Sequence, residues 1–195
     1  GWLGSLVFRE VLRADATTAI EQLKQMGIAV YLMSGDKKAA VHALADRLSL
    51  DPMHVYAQCQ PADKLGYLKD MQASGKRVAM VGDGFNDSNA LAQADVSIAM
   101  GKGSDIAMDV ANMTIVSSDL SKIPQAIRLS GRTVATVRQN LFWAFIYNLI
   151  GIPLAAGVLY PFTGFLLNPM IAGAAMALSS VSVVGNSLRL KFLQL

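Results

Sequence analysis

Apolar residues fall in short, punctuated runs over the first 119 positions and in much longer runs afterwards. Residues 3–8 (LGSLVF) read as a buried strand. Ala16, Ala19, Ile20, Leu23 and Met26 recur at helical spacing and predict a helix over 15–26, with Asp15 as its cap and Gly27 as its stop. A strand over 28–33 runs into Ser34-Gly35-Asp36 and a helix over 38–48. A short strand at 55–57 precedes a helix over 61–73, opened by Pro61 and closed by Gly75. The strand RVAMV at 77–81 meets Gly82-Asp83-Gly84, and a short helix covers 86–93. Strands at 96–100 and 113–116 flank a polar turn and a helix starting near Ser104. Strands that are apolar throughout and alternate with helices predict a parallel sheet covered on both faces.

From Leu120 the spacing changes scale. Ile123, Ile127, Val134 and Val137 mark one face of a long helix, with Arg128, Arg132 and Arg138 on the other. Residues 141–160 continue it for about the length that crosses a hydrocarbon core. Pro161 to Gly164 is a turn, and 166–188 returns. Bases flank the pair on its outer sides and the turn has none, which predicts cytoplasmic ends and an extracytoplasmic turn. The expected organisation is an α/β lobe over 1–119, a linking helix over 120–138, spans over 139–160 and 166–188 around a turn at 161–165, and a tail over 189–195. A buried helical pair in a larger soluble protein is the competing reading.

Charge sharpens this division. No Asp, Glu, Lys or Arg occurs from Gln139 to Leu188. All 14 acidic residues lie at or before Asp119 beside 11 of the 17 bases, so 1–119 carries −3 and the rest +6. The overall pI of about 9.1 describes neither part and gives no basic patch for nucleic acid. The bases beside the apolar stretch read instead as headgroup contacts. One cysteine, Cys59, excludes an internal disulfide framework and fits a reducing compartment. Its plain role is a small apolar filler.

Both polar motifs fall beyond the carboxyl ends of predicted strands, where ligands gather in such sheets. Gly82 and Gly84 permit a tight turn and close approach of backbone to ligand. Asp83 can give Mg²⁺ a hard oxygen ligand, and Asp87, four residues on, can bind the ion or its water shell. Ser34 and the amides near Gly35 can hold phosphoryl oxygens, with Lys64 as a mobile point charge. Taken singly, a DG pair is a turn, Lys64 a solvated helix residue and Asp36 a helix cap. Their order along the chain is what defines a site.

That order resembles the second part of the phosphorylation domain of P-type ATPases, a haloacid-dehalogenase-like, Rossmann-type α/β fold. The resemblance implies that Ser34, Gly35 and Asp36 hold the aspartyl phosphate and that Lys64, within Pro61-Ala62-Asp63-Lys64, is the family lysine. Gly82, Asp83, Gly84, Asn86 and Asp87 match the family's GDGxND hinge, with Asp83 the direct Mg²⁺ ligand and Asn86 and Asp87 supporting it. Ser88-Asn89 departs from the commoner Ala-Pro. The family's nucleophile, in an Asp-Lys-Thr-Gly-Thr motif, does not occur in this sequence. ATP binding is accordingly expected in a domain outside this chain, and the segment alone is expected not to turn over ATP. The implied partners are the rest of such a pump: actuator domain, nucleotide-binding domain and earlier membrane helices with a cysteine pair. A lipid bilayer and a copper chaperone complete the expected partners; nucleic acid is not among them.

A second resemblance concerns the apolar stretch. Tyr147-Asn148, followed by Met176, Ser179 and Ser180 at i, i+3 and i+4, is similar to the last two helices of the Cu⁺-transporting heavy-metal branch. It implies that Tyr147, Asn148, Met176 and Ser179 join the cysteine pair in a transmembrane metal site, with Ser180 a further candidate on the same helix face. A soft monovalent ion suits thioether and thiolate ligands, and the charge-free stretch offers no carboxylate to balance Zn²⁺. The resemblance thus implies a multi-pass exporter of Cu⁺ or Ag⁺, and the compactness of the pattern sets the bacterial inner membrane as its expected location. The alternatives are a separately encoded or truncated docking or regulatory membrane module, and a membrane-anchored phosphatase of the same fold.

Overall fold

The helical spacing near the start of the chain produces α1 (Ala16–Gln25), which buries Ala16 and Ala19. A computed structural model describes residues 12–82, 87–101, 109–117, 119–158, 160–164 and 169–192. The strand expected at 3–8 and the helix expected near Ser104 lie outside these residues. After α1 come β1 (Leu32–Met33), α2 (Lys38–Arg47), β2 (Val55–Tyr56), α3 (Pro61–Ala73), β3 (Ala79–Gly82), α4 (Ser88–Gln93), β4 (Val96–Met100) and β5 (Met113–Ile115). The chain divides into two compact units, Gly1–Pro124 and Gln125–Leu195.

Among the described residues of the first unit every strand pairing is parallel. Leu32 lies opposite Val55, Ala79 opposite Val96 and Ile98 opposite Met113. Among the described residues the strands form two pieces, β1-β2 and β3-β4-β5, rather than one continuous sheet. The apolar core is divided in the same way. Ala16, Ala45, Leu48 and Leu50 pack beside β1 and β2, while Leu91 and Ala99 pack where α4 covers β3 and β4. Leu68, Leu91 and Ile98 are almost wholly withdrawn from water, each contributing about 1.5–3 kcal/mol. Val81 on β3 and Val96 at the start of β4 remain 37% and 42% exposed, so these two strands are not covered on both sides at those positions as their sequence predicts.

Asp15 also behaves differently from its expected role. It occupies the cap position of α1 but makes no side-chain cap bond there. Its carboxylate instead accepts a hydrogen bond from the Leu120 amide at 2.5 Å. A residue with local capping chemistry thus ties together segments 105 positions apart.

Helix α5 (Lys122–Ala155), all but its first three residues in the second unit, is continuous for 34 residues with Pro153 inside it. It is followed by α6 (Tyr160–Thr163) and α7 (Pro169–Leu188). Gln139 and Asn140 on α5 meet Asn186 and Ser187 on α7. Asn186 Nδ2 donates to Asn140 Oδ1 at 2.8 Å, and Asn140 Nδ2 to Ser187 Oγ at 2.9 Å.

No helix among the described residues is long and apolar enough to cross a membrane. The expected transmembrane hairpin over 139–160 and 166–188 is therefore corrected, together with the multi-pass inner-membrane placement that rested on it. The absence of formal charge was the misleading signal. The apolar part of α5 runs only from Leu141 to Ala155 before the helix ends, about 22 Å at 1.5 Å per residue, against a core of about 30 Å. The last ten residues of α7 include Ser179, Ser180, Ser182, Asn186 and Ser187, which lower its hydropathy without adding charge.

Candidate phosphate and magnesium site

Two strand ends in the first unit carry the polar motifs. Leaving β1, the Ser34 amide donates to the Tyr56 carbonyl at 3.0 Å, extending the β1-β2 pairing by one bond. The Ser34 hydroxyl donates to Asp36 Oδ2 at 2.8 Å, and the Asp36 amide returns a bond to Ser34 Oγ at 3.2 Å. Asp36 therefore does not cap α2. That position belongs to Lys37, which makes no side-chain cap bond. The turn leaves Gly35 exposed between two mutually bonded side chains.

The loop after β2 braces this turn. Gln58 adopts a left-handed backbone at φ 58°, uncommon for a residue with a side chain and costing roughly 1–2 kcal/mol. In that conformation the Gln58 amide reaches the Asp36 carbonyl at 3.0 Å, and the Cys59 amide reaches the Ser34 carbonyl at 2.9 Å. Sequence reasoning passed over Gln58 because glutamine carries no turn signal. Cys59 is buried as expected. Burial raises its thiol pKa, and the nearby Asp63 carboxylate pushes the same way against the opposing Lys64. A neutral thiol is a poor metal ligand.

Helix α3 starts immediately beyond. Pro61 at its first position and a capping box between Gln60 and Asp63 fix its entry, with the Gln60 amide donating to Asp63 Oδ2 at 2.8 Å. The sequence signal for this start was Pro61 alone, since Gln60 and Asp63 do not match the usual S/T-x-x-E/Q pattern. Lys64, one residue on, projects its ammonium onto Asp87 Oδ1 at 2.6 Å, with the two side chains only 13% and 14% exposed. The turn after β3 thus meets the helix after β2.

The space that admits this pair depends on Gly82. A Cβ placed there would stand 3.0 Å from Asp87 Oδ2 and 3.3 Å from Asp87 Cβ. A side chain there would press on the carboxylate, which would have to shift by a few tenths of an ångström. Asp87 is held from the other side by the start of α4, where the Leu91 amide donates to its carbonyl at 2.7 Å. Asp83, Gly84 and Asn86 lie outside the described residues. Among the described residues no three His, Cys, Asp or Glu side chains converge as metal ligands. One hard carboxylate cradled against glycine is nevertheless the right donor for Mg²⁺, which binds through one or two carboxylates plus water and phosphate oxygens.

The residues expected in a transmembrane metal site do not have that setting, since neither α5 nor α7 is long and apolar enough to span a membrane. Tyr147 lies 6.4 Å from Trp143, ring centre to ring centre. Asn148 lines an apolar cavity of about 330 Å³ with Phe145, Leu149, Ile152 and Pro153. Met176 is exposed, and its carbonyl accepts from Ser180 Oγ at 3.3 Å within α7. Ser179 is half-buried one turn along.

Residues 3–95 and 65–127 each match a family described as haloacid dehalogenase-like hydrolase. With parallel strands, alternating helices and polar turns at the strand ends, the first unit is a haloacid-dehalogenase-like α/β domain. The chain is 50% identical over 186 residues to a probable copper-transporting ATPase, PacS, of Synechocystis sp., covering 95% of this chain and 25% of that protein. It is 50% identical over 188 residues to a probable copper-importing P-type ATPase A of Enterococcus hirae, covering 96% and 25%. It is 46% identical over 192 residues to a silver exporting P-type ATPase of Salmonella typhimurium, covering 98% and 23%. Among solved structures, a zinc-transporting PIB-type ATPase in the E2.Pi state superposes with a TM-score of 0.78 at 32% identity, over 93% of this chain and 28% of that one. The catalytic domain of the CPx-ATPase CopB-B superposes with a TM-score of 0.55 at 38% identity, over 60% and 46%. The chain is thus related to the heavy-metal P-type ATPases and corresponds to their catalytic, phosphorylation domain. It spans about a quarter of the length of the curated relatives it matches.

Proposed function

We propose that this chain is the phosphate- and magnesium-handling half of a phosphorylation domain, one that docks with the remaining domains of a heavy-metal P-type ATPase to complete a phosphoryl-transfer site. The observation that carries this reading is the 2.6 Å pair between Lys64 and Asp87. It brings a cation and a hard carboxylate from two separate segments to one place beyond parallel strands. In the completed site the Ser34 hydroxyl and Gly35 amide would donate to phosphoryl oxygens, with Asp36 and Gln58 holding their turn in shape. Lys64 would offset charge on the transferring group. Asp83 and Asp87, with Asn86 in support, would hold Mg²⁺, whose chemistry is to neutralise and orient phosphoryl oxygens. Gly84 would let the turn after β3 close.

The sequence contains no Asp-Lys-Thr-Gly-Thr segment, so the phosphorylated aspartate, the ATP-binding domain and the actuator domain are assigned to other parts of the whole protein. Cu⁺ is the ion we assign to that protein, supported by the copper names of two relatives described above, with Ag⁺ as its chemical near-equal. A copper chaperone is the corresponding soluble donor. The test is Asp83→Ala in the full-length protein, scored by acid-stable phosphoenzyme formed from ATP and Mg²⁺. Loss of at least 90% is expected for a direct ligand, roughly the 1.4 kcal/mol per tenfold of a lost interaction. Undiminished phosphoenzyme would remove Asp83, and with it this site, from the chemistry.

A further inference from the structure

Resting on the reading above, we infer that the Lys64–Asp87 pair is a latch that couples anion binding to divalent-cation binding at this site. A lysine ammonium is a compact charge on a flexible stem, able to point at one of several partners. Here it points at Asp87 Oδ1 from 2.6 Å, with both side chains largely withdrawn from water. A charge-assisted bond of that length, in surroundings less polar than water, leaves little of the cation's field for another anion. An arriving phosphate dianion meets a neutralised lysine and a carboxylate that repels it. An arriving divalent cation likewise meets a carboxylate already occupied by a positive charge. Each ligand alone must break the pair; both together exchange one ion pair for two.

The geometry restricts the alternatives. Asp87 packs close to Gly82, its Oδ2 3.0 Å from the point a Cβ would occupy there. Its backbone is held by the Leu91 amide. On the other side Pro61 and the Gln60–Asp63 capping box fix the start of α3. The mobile part is therefore the Lys64 side chain itself. A cation that takes the Asp87 carboxylate frees the ammonium to turn toward phosphate, and by thermodynamic reciprocity phosphate strengthens cation binding by the same factor. Couplings of this kind range over about 5–150-fold.

The experiment is calorimetric titration of the full 195-residue chain with MgCl₂ alone, inorganic phosphate alone, and each in the presence of the other. Phosphate should bind about tenfold or more tightly in saturating Mg²⁺. Direct Mg²⁺–phosphate contact would produce that result too, so the variants decide. Asp87→Asn keeps the shape but unlatches Lys64, and should bind phosphate more tightly than the unaltered chain when no metal is present. Lys64→Gln should bind Mg²⁺ more tightly when no phosphate is present. Asp63→Asn removes a neighbouring charge while keeping an acceptor for the cap, and should change phosphate affinity less than twofold, within about 0.4 kcal/mol. Single-ligand affinities unchanged in both Asp87→Asn and Lys64→Gln would overturn the latch and leave the proposed function standing. Failure of the unaltered chain and both variants to bind either ligand would overturn the two together.

Discussion

At the residue scale, the polar side chains that organise the first unit owe their behaviour to partners distant in sequence. Asp95 is fully exposed at its carboxylate, yet accepts from the Val78 amide at 2.8 Å and from Gln72 Nε2 at 3.1 Å. The backbone bond from Val78 is the first cause of its lowered pKa, and the Gln72 bond the second. A carboxylate whose folded pKa lies below its ordinary value near 3.8 adds stability above that value and loses it as pH falls through the depressed one. Replacing Asp95 with Asn should therefore destabilise the chain near pH 7 and make progressively less difference in urea melts below about pH 4. A gap between the two chains that does not shrink on acidification would show that Asp95 acts by shape alone. The candidate site is legible at this scale only in part. Ser34, Asp36, Lys64 and Asp87 could be picked out because their residue types and order are chemically specific. Gln58 could not, because its contribution lies in a backbone angle.

At the scale of elements, spacing and caps located the helices well. Helices α1, α2 and α3 lie within a residue or two of their expected limits, since apolar periodicity and the Pro61 and Gly27 signals are local. The role of Asp15 was misjudged for the same reason: cap preference is local, whereas its bond to Leu120 is not. Asp15→Ala leaves a partly buried amide without an acceptor and should cost about 1–3 kcal/mol in chemical denaturation. Asp15→Asn, which retains a carbonyl acceptor, should recover much of the loss. Asp15→Ser keeps a good local cap but is too short for Leu120, and should not. Full recovery by serine would return Asp15 to a capping role. The long helices were misjudged because apolar length and missing charge were read without weighing uncharged polar side chains. Asn140, Asn186 and Ser187 carry no charge, yet they use their polarity to join α5 to α7.

At the scale of the whole molecule, the first unit is a haloacid-dehalogenase-like domain, and the chain covers a quarter of the length of its relatives. The transported ion is consequently a property to test on the full-length protein. ATP hydrolysis measured under reducing conditions should rise with Cu⁺ and with Ag⁺ and stay near its basal rate with Zn²⁺. Stimulation by Zn²⁺ alone would replace the copper assignment with the cation in the name of the superposed zinc-transporting ATPase. The divided core and the exposed Val81 and Val96 belong to this scale as well. An apolar strand reads in sequence as covered on both sides, but coverage depends on which other segments reach it.

Local chemistry in the sequence determined the parallel α/β class, most helix limits and the identity of the polar groups at the strand ends. These follow from periods of two and 3.6 residues and from the distinct conformations of glycine and proline, which need no distant partner. The tertiary structure alone decided that Asp15 reaches Leu120, that a left-handed Gln58 braces the Ser34 turn, and that Lys64 closes on Asp87. Each depends on where two remote segments meet, and a hydrogen bond or ion pair depends on distance in space rather than separation along the chain.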